Sequence, residues 1–208
     1  MAQGQLPFQY EEERRESGVT GLAGLPVYMD LAQVMKVRES IGRHLHVRDG
    51  GQGWSDAQVV MSLILLNLAG GECVDDLRVM EGDEGFCRVM RRVELHGLKR
   101  GQRRELERRW RKGRRRAVPS PSSVFRYLDG FHDEEQEGKR VKGKAFIPAM
   151  NGHLRGFWGV NKDLLCFAQR HNPQETATLD TDATLVETRK GDALWSYKHF
   201  KAYQPLNV

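Results

Sequence analysis

The chain has 208 residues, 39% of them hydrophobic and 29% charged, and a formal net charge of +5. That length allows one large domain or two small ones around a real hydrophobic core. The longest apolar run, VVMSLILL at 59–66, is well short of the roughly 20 residues a bilayer requires, so nothing in the sequence reads as a membrane span.

Residues 1–24 are polar and glycine-rich and read as a mobile arm. Apolar residues Leu31, Val34, Met35 and Ile41 then recur at helical spacing behind Asp30, which predicts one helix over 30–44 with Asp30 as an early helical position or its N-cap. The glycine-rich stretch at 49–53 ends it. Ser55 followed by Gln58 forms a capping-box pattern ahead of 59–68, a helix apolar nearly all round and therefore the buried one. Gly70 and Gly71 stop it. A short helix at 74–80, a turn at Gly82–Asp83 and a helix at 84–94 complete a set with helix-turn-helix character. That set serves equally as a base-reading module or a packing domain, and Arg88, Arg91 and Arg92 favour DNA.

The next segment carries the charge. Residues 99–116 hold eleven Lys or Arg against Glu105 and Glu107. They form a helix-prone run in which Leu106 and Trp110 are the apolar contact. A solvated helix face is the ordinary reading of a charge run, but an excess this local points to a polyanionic partner. The candidate nucleic-acid contacts are Lys99, Arg100, Arg103, Arg104, Arg108, Arg111, Lys112, Arg114, Arg115 and Arg116. Contacts of this kind go to phosphates and carry little sequence information. Pro119 and Pro121 break the run. Ser120 or Ser122 then caps a short helix at 124–131, whose Arg126 makes it a second candidate reader of DNA. Residues 132–148 read as a linker and 149–171 as a helix interrupted by Gly156 and Gly159.

From 176 to 187 the period changes to two, in a Thr-, Leu- and Val-rich stretch that reads as a β-strand. Such a strand places Asp180 and Asp182 on one face, roughly 6.6 Å apart at about 3.3 Å of rise per residue. Two acids side by side repel unless a cation relieves them, and a hard ion such as Mg²⁺ or Mn²⁺ would do so. The alternative is a pair of exposed or hydrogen-bonded acids at a strand end. A second strand is expected over 195–206, with Tyr197, His199 and Tyr203 as packing aromatics. Cys73, Cys87 and Cys166 have no CxxC spacing, and His44, His46, His96, His132, His153 and His171 have no ligand spacing. A reduced, cytoplasmic protein with surface histidines and no structural zinc is the simplest expectation.

Four motifs in order, GGECVDDL at 70–77, PSPSSVFRY at 119–127, LDTDAT at 179–184 and YKHFKAYQPL at 197–206, closely resemble the N-terminal part of bacterial insertion-sequence transposases of the DDE type. The resemblance covers residues 25–208. It implies an α+β chain with a mostly helical DNA-binding region at 25–131, followed from 149 by the first strands of an RNase H-like domain. In that family three acids hold two divalent metals that cut and join DNA, and Asp182, or failing it Asp180, matches the first of them. The resemblance further implies transposon-end and target DNA as partners, with a homodimer or a full-length transposase as a possible protein partner, and a nucleoid-associated location. Because Glu187 and Asp192 lie too close in sequence to serve as the other two acids, the chain is expected to be an N-terminal fragment that does not cleave DNA by itself. A DNA-binding remnant or repressor of transposition is the alternative.

Overall fold

The computed structural model describes residues 5–7, 19–48, 53–111, 116–141, 144, 146–178, 182–183, 185–191, 193–203 and 206–207. Two compact units divide it, one made of residues 1–132 with 151–167 and the other of 133–150 with 168–208. In chain order the helices are α1 (Leu25–Val34), α2 (Val37–His44), α3 (Asp56–Leu68), α4 (Leu77–Gly82), α5 (Glu84–Leu95), α6 (Arg100–Arg111), α7 (Pro121–Leu128), α8 (Glu134–Gly138) and α9 (Gly152–His171). Short 3-10 turns at Val74–Asp76 and Asp129–Phe131 lead into α4 and out of α7.

In the first unit α3 is the buried helix that the sequence predicts. The Ser55 hydroxyl accepts the Gln58 N–H at 3.3 Å, and the Gln58 side chain accepts the Ser55 N–H at 3.0 Å. These reciprocal bonds satisfy two of the donors that a helix start leaves open. Val59, Val60, Met61, Leu65 and Leu66 are buried, and with Met29 of α1, Ile41 of α2, Phe86 and Met90 of α5 and Tyr127 of α7 they form one core. Burying each such side chain contributes about 1.5–3 kcal/mol.

The helix expected over 30–44 is two helices. Lys36 takes the left-handed conformation (φ 55°, ψ 39°) between them, which no α-helix tolerates in its interior. Asp30 is not a cap. It is buried within α1, where its carboxylate accepts the Leu6 N–H at 2.7 Å. Leu6, only 3% exposed, therefore joins the core, and this part of the expected mobile arm is tied down. A second tie holds the same region, since Asp83 accepts the Thr20 hydroxyl at 2.5 Å and the Gly21 N–H at 3.1 Å.

Helix α9 is not interrupted by its glycines. They let it lie directly on α2: a Cβ added at Gly156 would stand 2.3 Å from the His44 carbonyl oxygen, and one at Gly159 would stand 2.4 Å from His44 Nδ1. Residues 151–167 belong with the helical unit, whereas the sequence assigned them to the domain of the acidic strand.

Among its described residues the second unit contains α8 and the short strands β1 (Asp182–Ala183), β2 (Val186–Glu187), β3 (Leu194–Trp195), β4 (Lys201–Tyr203) and β5 (Leu206–Asn207). One antiparallel sheet has the order β2-β4-β3, and β1 pairs with β5 in a second. Mostly helical with a small antiparallel sheet, the chain is α+β. The strand expected over 176–187 is thus two short strands in different sheets, and residues 176–178 have no regular structure. The strand expected over 195–206 folds back on itself, with Trp195 opposite Lys201. Tyr197 and His199 fall in the intervening turn, where His199 has φ 63°. Val186, Leu194 and Trp195 are exposed, so these strands lack the buried apolar face that holds register in a larger sheet.

Candidate nucleic-acid interface

Helix α5 starts on Asp83, whose carboxylate accepts the Phe86 N–H at 2.8 Å. Burial pushes the Asp83 carboxyl upward, but the Phe86 N–H, the Thr20 hydroxyl and the Gly21 N–H outweigh it and hold the group below the usual carboxylate range. With Gly85, Phe86, Cys87 and Met90 buried, the opposite side of α5 presents Arg88 and Arg92. Arg88 pairs with Glu84 at 2.5 Å one turn earlier.

A turn in which Gly97 takes φ +70° leads into α6. Positive φ suits glycine because it has no Cβ. The Lys99 N–H donates to the Gln102 side chain at 3.0 Å and so begins the helix. Arg100, Arg104 and Arg108 recur every four residues along α6, and all three are exposed, as is Arg103. Side chains four apart share a helix face, so these cations form a line of positive charge. Arg103 also donates to the Leu95 carbonyl at 3.4 Å, which leans it back on the end of α5. Leu106 is half-buried, while the side chain of Trp110, expected to form the apolar contact with it, lies outside the described residues.

Of the other candidate contacts, Lys99 is exposed, and Arg116 is half-buried with its Nε donating to the Val118 carbonyl at 3.4 Å. Arg111 ends α6, but its side chain and residues Lys112, Arg114 and Arg115 lie outside the described residues. The chain returns to the core immediately afterwards. Ala117 and Val118 are 6% and 0% exposed, and Glu81 of α4 accepts both of their backbone N–H groups, at 3.0 and 3.1 Å.

Helix α7 is capped by Ser120, which accepts the Ser123 N–H at 3.2 Å. Ser120 fills the role for which Ser122 was the other candidate. Pro121, Val124 and Tyr127 face inward, while Phe125 and Arg126 face out. Arg126 donates to the Ser122 carbonyl at 3.1 Å. Arg48 lies 5.7 Å over the Tyr127 ring and donates to the Ser123 carbonyl at 3.0 Å, fixing α7 from behind. Burial raises the Tyr127 phenol well above its ordinary value, and the nearby Asp56 carboxylate adds to the effect.

Asp182 lies in β1, opposite Asn207 of β5; its side chain and all of Asp180 are outside the described residues. The predicted shared face therefore lies outside them as well. Among the described residues no three His, Cys, Asp or Glu side chains gather as metal ligands. Two metals held about 4 Å apart need more carboxylates than Asp182 alone, so the described residues do not by themselves make up that centre.

Two clusters escaped the sequence reading. Glu81 is one. The other is Asp163 of α9, which accepts the Ser40 hydroxyl at 2.6 Å, an Arg43 N–H at 2.9 Å and lies 3.0 Å from His44 Nε2. The Ser40 hydroxyl, against some burial and assisted by His44 and Arg43, holds the Asp163 carboxyl below its usual range. His44, expected at the surface, is half-buried in this cluster. Both clusters join residues distant in sequence, and no local pattern announces them. No helix among the described residues is long and apolar enough to cross a membrane. No protein-family model, curated protein or solved structure matches the chain.

Proposed function

We propose that this chain binds DNA through the arginine line of α6 and the basic residues that follow it, as the DNA-binding part of a DDE-type transposase. The observation that carries the reading is the set Arg100, Arg104 and Arg108, exposed on one face of a helix whose chain returns to the core at Ala117 and Val118. Such an array offers cations to successive phosphates at little conformational cost. Helix α7, with Arg126 and Phe125 outward, is the element offered to base edges. The strands of the second unit are read as the opening of an RNase H-like sheet. In such an enzyme Asp182, or Asp180, supplies the first carboxylate for Mg²⁺ or Mn²⁺. The four ordered sequence motifs support this second part of the reading.

Mobility-shift titration of transposon-end DNA and of random DNA, each at two salt concentrations, tests it. Binding of both that weakens steeply with salt, with a residual preference for the ends, is the expected result. Absence of binding to either DNA at low salt would sink the reading.

A further inference from the structure

Glu81 stands in the last turn of α4, two residues before the Asp83 cap of α5. Its carboxylate takes the Ala117 N–H through both oxygens, at 3.0 and 3.3 Å, and the Val118 N–H at 3.1 Å. One acid thus captures two consecutive backbone donors across 36 residues of sequence. The Cys87 thiol donates to the Glu81 carbonyl oxygen at 3.3 Å and steadies the backbone that carries the acid. The residues held this way are the ones that end the basic segment. Near its other end Arg103 makes an exposed contact with the Leu95 carbonyl at the end of α5, at 3.4 Å.

We propose that Glu81 is a positioning residue for polyanion binding: a latch that holds the chain at Ala117 and Val118 on the helical core, so that the arginines of α6 are carried on a helix whose chain is tied down after it. This rests on the reading that the segment binds nucleic acid. The consequence runs against simple electrostatics. An acid beside a basic segment repels phosphate, so neutralising it would be expected to tighten binding. With the latch, neutralising it frees the return of the segment, and the chain must then lose that freedom again on binding.

Fluorescence anisotropy with a short random-sequence duplex separates the two. Glu81→Gln offers one acceptor oxygen and an NH2 group to two N–H donors. Glu81→Asp keeps the charge but withdraws the carboxylate by one carbon–carbon bond. Both variants weaken binding about five- to tenfold relative to the parent chain, with the salt dependence unchanged because the same cations still meet phosphate. Glu84→Gln, which removes an equal charge from an exposed acid of α5, leaves binding equal or tighter. Amide exchange at residues 117–118 reads the latch without DNA and speeds up in both Glu81 variants, while α3 stays protected as evidence that the core is folded. Glu81→Gln binding as tightly as the parent or tighter, Glu81→Asp matching the parent, or exchange at 117–118 unaltered would each overturn the latch. A parent chain that binds no duplex overturns the nucleic-acid reading and the latch together, and is recognised because the parent itself fails.

Discussion

Replacing Arg100, Arg104 and Arg108 together by Gln removes the α6 line while leaving the half-buried Leu106 contact in place. Each cation that neutralises a phosphate of duplex DNA contributes about 0.9 to the slope of log K against log salt. If each arginine meets one phosphate, the three supply about 2.7 of that slope. Raising salt from about 50 to about 200 mM then costs the parent chain a further factor of about 40 that the triple variant does not lose. Affinities measured by anisotropy at four or more salt concentrations give both slopes. A triple variant that binds more weakly by a salt-independent factor, with the parent slope intact, would refute the phosphate-contact argument. Such a result would mean that the substitutions had acted on the fold instead.

Other consequences concern the packing that holds the interface. Gly156→Ala places a methyl 2.3 Å from the His44 carbonyl oxygen and is expected to destabilise the helical unit by about 1–3 kcal/mol in urea unfolding. By contrast Gly42→Ala, in the interior of α2 with nothing within 4 Å of the new Cβ, is expected to stabilise it by about 0.5–1 kcal/mol. Asp83→Ala removes the α5 cap and is expected to cost about 1–2 kcal/mol. Since the folded Asp83 carboxyl lies below its ordinary value, its contribution is complete above the unfolded value of about 3.9 and is lost as pH falls through the folded one. The acid limb of a stability–pH curve should therefore flatten in Asp83→Asn. Burial, followed by the Glu81 charge, pushes the Cys87 thiol up to about 11, whereas Cys73 and Cys166 are exposed. A thiol reagent at pH 8 should modify Cys73 and Cys166 quickly and Cys87 only on unfolding, as peptide mass mapping would show.

Local chemistry made much of the helical unit legible. Ser55 with Gln58, Ser120 before Ser123, and the apolar run of α3 each act within a few residues, and the structure has the caps and the buried helix they imply. Where a distant partner decides, the sequence is silent. Asp30 looks like a helix cap, yet its partner is Leu6, 24 residues earlier. Lys36 carries no glycine-like cue for its left-handed turn, and the break between α1 and α2 follows from it. Gly156 and Gly159 look like interruptions until α2 is seen lying against them. The alternation at 176–187 suggested one long strand, but short pairings to β5 and to β4 divide it. Thus the basic run that carries the arginines of α6 is readable from composition, whereas Glu81, the acid that holds the chain after it, is not.

On the proposed function, DNA lands on the segment around α6. Hydrogen–deuterium exchange of the chain with and without saturating duplex DNA at low salt tests this most directly, because it reports every backbone region at once. Slower exchange is expected in residues 99–118, with a smaller effect on α7 and none in β2, β3 and β4. Protection confined to other regions, with residues 99–118 exchanging as in the free chain, would contradict it.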